Sequence, residues 1–359
     1  MKIILDNIKF STTNQGGISN YWYELSKYLL ETNTNVFFYE NSKAISNFHR
    51  SQLKIPQDRI ILDNKSYFSS IHERVASVNI KSSEEFIFHS SYYRTLANNK
   101  FGKEITTVHD FTHNFHSTLL KKHTHNYIKY NSIKKAEGII CISENTYNDL
   151  LKFCPPQKHQ KVVIIHNGVS NNFHVLDEAS SISLLPLGLE KNGYILYVGS
   201  RQNYKNFIFV INIIKETIGL KLVIIGEELN KKEKSLFGEH ISRVSVLTNI
   251  NNFDLNVLYN NALTFIYPSS YEGFGIPIIE AMKAGCPVIA LNNSSIPEVS
   301  GNAAFLLDSL DVSKVKKHLI DLEVFSIRKA LIEKGIEQSK KFSWEKCTKE
   351  TKEFYEEVF

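Results

Sequence analysis

Two glycines and a proline mark a candidate ligand-binding turn in the stretch Tyr271–Met282, which reads YEGFGIPIIEAM. The apolar run Leu263 to Tyr267 precedes it and predicts a strand. Pro277 suits the first turn of a following helix, where a missing N–H costs nothing. Gly273 and Gly275 therefore lie just before a helix N-terminus, where backbone N–H groups and the helix dipole favour an anion or a sugar oxygen.

Two glutamates flank this turn. Glu280 lies one turn inside the predicted helix, where its carboxylate can accept hydrogen bonds from two vicinal hydroxyls such as those of a ribose. Glu272 lies in the loop eight residues earlier, so that the two carboxylates flank one pocket without sharing a proton. The backbone N–H groups of Phe274, Gly275 and Ile276 are exposed to the same ligand. The residues alone fit equally well a strand–turn–helix that carries an ordinary solvated glutamate.

Two cations, Arg201 and Lys205, follow a second predicted strand that ends at Gly199. A departing diphosphate needs fixed positive charge, and without a metal two side-chain cations can supply it. Isolated Arg or Lys residues are more often solvated loop cations, which is the alternative here.

Further candidates follow other predicted strands. Gly16 and Gly17 follow the first strand, and adjacent glycines let a backbone approach a ligand closely, although a tight βα turn alone explains them more simply. His109 stands at the carboxyl end of a strand, the edge at which open parallel sheets bind ligands. His89, Ser91 and Arg94 reach the same edge from a neighbouring strand and fit either an acceptor-binding role or loop packing.

The stretch with the two glutamates resembles the E-x7-E motif of the retaining GT-B glycosyltransferases of family 4 (glycosyl transferases group 1), of the bacterial surface-polysaccharide type. The resemblance extends through most of the chain in the same order. It includes the G-x-x-x-x-x-K-N pattern that ends at Asn206, the pair His109 and Asp110, the turn Ser143–Thr146, and Asn167–Val169.

The resemblance implies a retaining transferase that moves a sugar from a nucleoside-diphosphate sugar to a hydroxyl of a glycan acceptor. We expect the acceptor to be linked to polyprenyl diphosphate, in the assembly of O-antigen, capsule or lipopolysaccharide, and we expect neither a cofactor nor a metal. Glu272 and His109 would be catalytic, and Glu280 would bind the ribose. The diphosphate contacts would be Arg201, Lys205, Gly16, Gly17, Gly275 and Ile276. The sugar contacts would be Glu272, Gly273, Phe274, Gly275 and His109.

The base pocket departs from the pattern of the family. Many relatives have a glycine after the strand that precedes this pocket, where this chain has Leu247, Thr248, Asn249 and Ile250. We expect Asn249 and Ile250 to contact the base, with UDP slightly favoured over GDP.

Short β-rich runs alternate with helical patterns in both halves of the chain, which predicts parallel sheets covered by helices. The expected fold class is α/β: the GT-B fold, with two facing Rossmann-like, doubly wound domains and a cleft between them. We expect an N-terminal acceptor-binding domain at residues 1–170, a linker at 171–192 and a nucleotide-sugar-binding domain at 193–341. A last helix at 342–359 would pack back on the first domain.

Composition excludes several other classes of protein. The 359 residues are 42% hydrophobic and 22% charged, as in an ordinary globular protein long enough for two domains. The four cysteines lack C-x-x-C spacing, and no apolar run approaches the roughly 20 residues that span a bilayer. Five histidines lie within residues 109–125 but lack the H-E-x-x-H glutamate of a zinc helix. These features predict a cytosolic protein, and the resemblance implies that its cytoplasm is bacterial.

Charge is unevenly divided. Residues 1–170 hold 21 Lys and Arg against 14 Asp and Glu, and the remainder holds 21 against 23. Part of the excess lies in residues 119–136, which fit either a solvated helix face or a basic surface that rests on anionic lipid at the inner face of the membrane. The lysines of that surface are Lys121, Lys122, Lys129, Lys134 and Lys135. The excess is too small to predict nucleic-acid binding.

Two other functions remain open from the residues. A sugar-nucleotide epimerase can use the same fold, and a non-catalytic protein could bind a nucleotide sugar. The presence of Glu272, Lys205 and Glu280 together argues against a decayed site. A nicotinamide-dependent oxidoreductase is disfavoured because the first βα turn lacks G-x-G-x-x-G.

Overall fold

The computed structural model describes residues 1–65, 69–97, 100–116, 119–177, 179 and 188–359. Its internal contacts divide the chain into two compact units. Unit 1 consists of Met1–Gly168 together with Trp344–Phe359, and unit 2 is Val169–Ser343. Within the predicted linker, residues 178 and 180–187 lie outside the described part of the chain.

Unit 1 is built on a parallel sheet of seven strands. The strands are β1 (Lys2–Asp6), β2 (Val36–Glu40), β3 (Ile60–Leu62), β4 (Phe86–Ser90), β5 (Gly102–Val108), β6 (Gly138–Cys141) and β7 (Lys161–Ile164). Their order across the sheet is β3-β2-β1-β4-β5-β6-β7. The inner strands β1, β4 and β6 each contain a buried apolar run, as expected for a sheet that is covered on both faces.

The described helices of unit 1 connect these strands. They are α1 (Ile8–Thr12), α2 (Gly17–Glu31), α3 (Phe48–Gln52), α4 (Ser70–Val75), α5 (Thr112–His116), α6 (Leu119–Lys135) and α7 (Glu144–Phe153), with short 3-10 helices at Ser42–Ser46 and Gln57–Arg59. Ser143 caps α7 by accepting a hydrogen bond from the Thr146 N–H. The last helix of the chain, Trp344–Val358, packs against α2. Its Trp344 ring lies 6.2 Å from the Tyr21 ring.

Unit 2 repeats the architecture with six parallel strands. They are β8 (Tyr194–Val198), β9 (Lys221–Ile225), β10 (Val244–Leu247), β11 (Thr264–Tyr267), β12 (Val288–Leu291) and β13 (Phe305–Leu307). Their order is β10-β9-β8-β11-β12-β13. The described helices are α8 (Phe207–Glu216), α9 (Lys231–Phe237), α10 (Asn252–Asn261), α11 (Ile276–Lys283), α12 (Ile296–Ser300), α13 (Val312–Asp321) and α14 (Phe325–Ser339), with 3-10 helices at Asn203–Lys205 and Gly238–Arg243. The last helix, Trp344–Val358, is α15.

Each sheet has a point where the strand order reverses, which is where open α/β sheets bind ligands. In unit 1 this switch point lies between β1 and β4, and in unit 2 it lies between β8 and β11. The loops that leave the carboxyl ends of these four strands therefore position the candidate sites.

Candidate active site

The switch point of unit 2 joins a cation to a carboxylate. Lys205 follows β8, Glu272 follows β11, and the Lys205 Nζ lies 2.5 Å from the Glu272 Oε1. Both side chains are largely buried, with 15% and 13% of their surface exposed. The two residues are 67 positions apart in the chain, and they meet because β8 and β11 are neighbours in the sheet.

Aromatic rings surround the ammonium of Lys205. It lies 5.2 Å from the centre of the Tyr204 ring and 5.3 Å from that of the Tyr267 ring, within the range of a cation–π interaction. The same ammonium is 3.5 Å from the Tyr267 hydroxyl. Burial, together with the charge of Glu272, raises the pKa of Tyr267 well above its ordinary value, so that this group stays a neutral hydroxyl.

Asn206 ties the two loops of the switch point together. Its backbone adopts the left-handed conformation with φ of 52°, which Asn tolerates better than most residues. From there its side-chain amide donates to the Pro268 carbonyl and to the Ser270 Oγ, both at 2.7 Å. The Ser270 N–H donates in turn to the Tyr204 carbonyl at 2.7 Å. Lys205 and Glu272 are thus held on fastened loops.

Two serines, Ser294 and Ser295, form hydrogen bonds with the backbone of the turn between Glu272 and α11. Ser294 Oγ accepts the Glu272 N–H at 2.9 Å, and Ser295 Oγ donates to the Glu272 and Phe274 carbonyls at 3.0 and 2.8 Å. Gly275 caps α11 with φ of 106°, a conformation that favours glycine.

The side chain of Phe274 is buried and packs edge-on against Phe342, with ring centres 5.6 Å apart. Phe274 can therefore serve a ligand only through its backbone. Gly273, Gly275 and Ile276 likewise have only backbone polar groups to offer.

Glu280 lies on α11, with its Oε2 3.5 Å from the Tyr259 hydroxyl. Burial raises the pKa of its carboxyl to about 7, against an ordinary value of 4.5. The Glu280 residue as a whole is partly exposed. A hydrogen-bond donor such as a ribose hydroxyl would favour its charged form.

Arg201 faces a different loop from Lys205. Its guanidinium donates to Glu233 Oε1 and to the carbonyls of Glu227 and Glu228, each at 2.7 Å. Burial alone would raise the pKa of Glu233, but the hydrogen bond from Arg201 holds it below its ordinary value. In this structure Arg201 organises the loop after β9, and its predicted contact with a diphosphate stays a prediction.

The predicted base contacts lie at the same edge of the sheet. Asn249 follows β10 in the left-handed conformation with φ of 53°, and its side chain is exposed. Ile250 is partly buried. Because β10 neighbours β9, this loop and the one ordered by Arg201 are adjacent.

In unit 1, the glycine loop opens α2. Gly16 has φ of 149°, and a Cβ placed on Gly16 or Gly17 would meet no atom within 4 Å. The preceding loop is fastened by the Asn47 side chain, which donates to the Thr13 carbonyl at 2.6 Å. The two glycines thus leave free space above a helix N-terminus, which suits a bound ligand.

His109 follows β5 and is buried edge-on against the Tyr21 ring, with ring centres 5.2 Å apart. Burial lowers the pKa of His109 to about 4, so the imidazole is neutral near pH 7. Burial alone would raise the pKa of Asp110, but the charge of Lys129 and the Thr112 N–H lower it below its ordinary value. A neutral His109 can donate or accept a hydrogen bond.

Three residues predicted for the acceptor side have structural roles instead. The ring nitrogens of His89 are hydrogen-bonded to the Tyr355 hydroxyl at 2.6 Å and to Thr107 at 3.0 Å, and its side chain is fully buried. The buried Ser91 hydroxyl donates to the Asp6 carbonyl and accepts the Lys9 N–H.

Arg94, the third of these residues, is also buried and bridges two carboxylates. It lies 3.5 Å from Asp6 and 3.3 Å from Asp63. We therefore assign packing roles to His89, Ser91 and Arg94, because none of them presents its side chain to a ligand.

The basic surface predicted on α6 needs one correction. Lys129 is fully buried: its ammonium donates to the Asp110 carbonyl at 2.6 Å and lies 4.4 Å from the centre of the Phe111 ring. It therefore cannot rest on a membrane. Lys134 and Lys135 are exposed and Lys122 is partly exposed, while the side chain of Lys121 lies outside the described residues. None of the described helices is long and apolar enough to cross a bilayer.

The histidines near α5 and α6 are used in ring stacking. The His113 and His125 rings stack with centres 3.8 Å apart, and the His125 Nε2 is 3.0 Å from the Tyr92 hydroxyl. Among the described residues, no three His, Cys, Asp or Glu side chains are placed to share a metal ion.

Sequence reasoning missed the tyrosines of the site. Tyr267 closes β11 and Tyr259 lies on α10, and both read in the sequence as ordinary apolar core residues. Their hydroxyls reach Lys205 and Glu280 only because the sheet brings β11, α10 and α11 together. No local pattern distinguishes them from the other buried tyrosines.

Two family models match the chain. The model described as Glycosyl transferases group 1 matches residues 186–338, and the model described as Glycosyltransferase Family 4 matches residues 15–173. Together the two models match both halves of the chain, which identifies it as a glycosyltransferase. The resemblance inferred from the sequence is therefore confirmed, and so is the assignment as an enzyme that transfers sugars.

Individual relatives agree with the family. The O-antigen chain mannosyltransferase B of Escherichia coli is 27% identical over 70% of this chain and 68% of its own length. The O-antigen chain mannosyltransferase RfbU of Salmonella typhimurium is 24% identical over 60% of both chains, so the aligned part spans between three fifths and about two thirds of these relatives.

A solved structure with the same fold is that of WaaG, a glycosyltransferase involved in lipopolysaccharide biosynthesis. It superposes with a TM-score of 0.72 at 12% identity, over 97% of this chain and 98% of its own. The predicted fold class, with two Rossmann-like domains, is thereby confirmed.

Proposed function

We propose that this glycosyltransferase moves a mannosyl residue from a nucleoside diphosphate to a hydroxyl of a lipid-linked glycan, with retention of anomeric configuration. The pair of Lys205 and Glu272 at the switch point of unit 2 is the observation that carries the site. The sugar is proposed from the O-antigen chain mannosyltransferases to which the chain is similar.

Lys205 is suited to stabilise the departing diphosphate. Cleavage of the sugar–phosphate bond develops negative charge on the diphosphate, and a fixed ammonium on a fastened loop meets that charge without reorganisation. A bound diphosphate would compete with Glu272 for this ammonium. The backbone N–H groups at the start of α11, from Gly275 and Ile276, add positive potential on the same side.

Glu272, once released from Lys205, is free to accept hydrogen bonds from the sugar hydroxyls. Glu280 would meanwhile accept the two ribose hydroxyls of the donor, with its carboxylate charged. Glu272 lies in the loop before α11 and Glu280 lies within that helix, so the two carboxylates can bind different parts of the donor. The neutral imidazole of His109 is proposed as a further hydrogen-bonding group to the sugar.

The proposed reaction proceeds on one face of the sugar. The bond from the anomeric carbon to the phosphate oxygen breaks, and the acceptor oxygen bonds to that carbon on the same face. The acceptor proton passes to the departing phosphate oxygen. The nucleoside diphosphate leaves with the bonding electron pair, and no oxidant or reductant is required.

A donor panel tests the proposal. Thermal unfolding is measured with UDP, GDP, ADP and NAD, each with and without Mg²⁺, and transfer is then assayed with the mannose, glucose and N-acetylglucosamine derivatives of the nucleotide that stabilises the protein. We expect stabilisation by one nucleoside diphosphate without a metal requirement, and transfer of mannose. Stabilisation by NAD alone, or release of an epimerised donor with no product, would contradict a transferase of this type. The expectation that UDP binds better than GDP is tested in the same panel.

Glu272→Gln tests the division of roles. The amide keeps the shape of the side chain but no longer pairs with Lys205, so we expect turnover to fall while binding of the free nucleotide is unchanged or tighter. Unchanged turnover would remove Glu272 from the reaction and leave the diphosphate role of Lys205 standing.

We further propose a bacterial cytoplasmic location at the inner face of the membrane, where a lipid-linked acceptor would be held. Lys122, Lys134 and Lys135 are the exposed or partly exposed lysines that could contact anionic lipid. Flotation with vesicles that contain anionic lipid compares the wild-type protein with a variant in which these three lysines are changed to Glu. Equal recovery of both would leave α6 as a solvated face.

A further inference from the structure

Two cations share one aromatic ring at the switch point of unit 1. Lys9 follows β1 and Tyr92 follows β4, the two strands that flank the reversal of strand order. The Lys9 Nζ lies 4.7 Å from the centre of the Tyr92 ring, and the guanidinium carbon of Arg74, from α4, lies 5.3 Å from the same centre. All three side chains are partly exposed, so a ligand can reach them.

Among the described residues, no carboxylate lies within ion-pair distance of either positive charge. The Arg74 Nε is buried without a hydrogen-bond partner among them. Burial and the neighbouring charge of Arg74 lower the pKa of Lys9 to about 8, while the charge of Asp110 acts in the opposite direction. Two like charges held together favour the arrival of an anion between them.

Two buried cations of unit 1, Arg94 and Lys129, already have partners within the protein. Arg94 is bound by the carboxylates of Asp6 and Asp63, and Lys129 donates to the Asp110 carbonyl. Among the described residues of unit 1, Arg94 is thus paired with carboxylates and Lys129 is hydrogen-bonded, whereas Lys9 and Arg74 have no carboxylate partner.

Exposed apolar side chains border the same region. Ile45, Phe48 and Val75 have 56%, 57% and 46% of their surface exposed. Ile45 and Val75 belong to elements that pack against α1, the helix that carries Lys9, and Phe48 opens the helix next to that of Ile45. Unmatched cations beside exposed apolar groups suit an amphiphile with an anionic head better than a free polar anion.

We propose that Lys9, Arg74 and Tyr92 bind the diphosphate group of a lipid-linked acceptor. This inference rests on the proposed transfer to such an acceptor and names the part of the acceptor that unit 1 recognises. A diphosphate carries enough charge to match both cations, whereas a single carboxylate would leave one unmatched. The planar fork of Arg74 matches phosphate oxygens in pairs, and Lys9 supplies a point charge on the other side of the ring.

Binding of geranyl diphosphate, a soluble lipid diphosphate, tests the proposal by titration calorimetry. The titrations are made in a Lys205→Ala background, so that the proposed diphosphate site of unit 2 is weakened. We expect geranyl diphosphate to bind more tightly than either geraniol or inorganic pyrophosphate. Lys9→Gln and Arg74→Gln should each weaken that binding by about tenfold or more.

Lys2→Gln is the matched control. The Lys2 ammonium also lies over an aromatic ring, 4.8 Å from the centre of Phe37, but at the opposite end of β1. We expect this variant to bind as the background protein does. Thermal unfolding of all variants shows whether they are folded.

Three outcomes would overturn the inference. If Lys9→Gln and Arg74→Gln bind geranyl diphosphate as tightly as the background protein does, the two cations do not form the site. If Lys2→Gln weakens binding as much as they do, the effect is not specific to this end of β1. Pyrophosphate that binds as tightly as geranyl diphosphate excludes the lipid as the source of the phosphate. The titrations contain no nucleotide-sugar donor, so they test the lipid-diphosphate subsite independently of sugar transfer. The subsite can be confirmed when no transfer is found, and it can be excluded when transfer is observed.

Discussion

The two switch points share one topology and carry opposite electrostatic arrangements. In unit 1, among the described residues, Lys9 and Arg74 stand beside Tyr92 without a carboxylate partner. In unit 2, Lys205 is closed onto Glu272. An anion that binds at unit 1 would meet Lys9 and Arg74 without displacing a carboxylate. A diphosphate that binds at unit 2 would have to displace Glu272 from Lys205. The replacement would free Glu272, so binding of the leaving group and orientation of the sugar would be linked.

The loops of the two switch points are also fastened differently. In unit 1 the ends of β1 and β4 are joined by a buried ion pair between Asp6 and Arg94. In unit 2 the loops after β8 and β11 are joined by the neutral amide of Asn206. Buried charges are costly to leave unpaired, so the first arrangement depends more strongly on every partner being present.

Arg94→Met should have the largest effect, because it leaves Asp6 and Asp63 buried without their cation. We expect a loss of about 3–5 kcal/mol in the free energy of unfolding, measured by urea denaturation. Arg59→Met, which removes a partly exposed arginine of the same unit, is the control and should cost far less. A loss below 1 kcal/mol for Arg94→Met would show that the network does not fasten unit 1.

Lys205→Ala should reduce kcat/KM for sugar transfer by about 10²–10³-fold, since it removes the fixed charge that meets the leaving diphosphate. Lys221→Ala, on the amino-terminal edge of the same sheet, should leave activity unchanged. Initial rates with the donor found in the nucleotide panel measure both. An equal loss in Glu272→Ala alone, with Lys205→Ala active, would reverse the roles given to the two partners.

Asn206→Ala should cost about 2 kcal/mol of stability, because it removes hydrogen bonds and places a Cβ-bearing residue without a polar side chain in the left-handed conformation. Asn206→Gly removes the same hydrogen bonds but accepts that conformation, so it should cost less. Chemical denaturation of both variants separates the two contributions. Equal losses would mean that the backbone conformation contributes nothing.

Glu280 should make nucleotide binding depend on pH. Its carboxyl has a pKa of about 7, and the ribose hydroxyls proposed to bind it would be accepted better by the charged form. Affinity should therefore be highest above pH 7 and fall by up to about tenfold per pH unit below it. Titration calorimetry from pH 6 to 8 measures this fall, and Glu280→Gln should abolish the part that does not come from the phosphate itself.

The same group gives a stability check. Since its pKa is raised by folding, Glu280 favours the folded state at low pH and this contribution is lost as the pH rises from about 4.5 to about 7. Glu280→Gln should therefore raise the melting temperature more at pH 8 than at pH 5. A larger rise at pH 5 would contradict the raised pKa.

The fold was predictable because most strands are apolar runs with turn residues at their ends. Strand β3 escaped prediction because it is a three-residue edge strand whose residues stay partly or largely exposed. The family resemblance, more than residue type and spacing, singled out Lys205, Glu272 and Glu280 as site residues, and their roles stay predictions. The contact between Lys205 and Glu272 could not be predicted, because it depends on which strands are neighbours.

The errors on unit 1 have the same physical origin. The sequence shows that Lys129 lies on a helix, but only the position of the Asp110 carbonyl reveals that the ammonium points inward. The sequence left His89 open between acceptor binding and loop packing, and its hydrogen-bond partner Tyr355 lies 266 positions away. Contacts of such long range leave no local pattern to read.

The position of α15 has a consequence for the order in which the chain can fold during synthesis. Unit 2 is a continuous segment, Val169–Ser343, inserted between the two parts of unit 1. All of unit 2 leaves the ribosome before α15, which brings the hydroxyl for the buried His89 ring and the Trp344 ring that packs on Tyr21. Unit 1 can therefore be completed only after all of unit 2 has been synthesised.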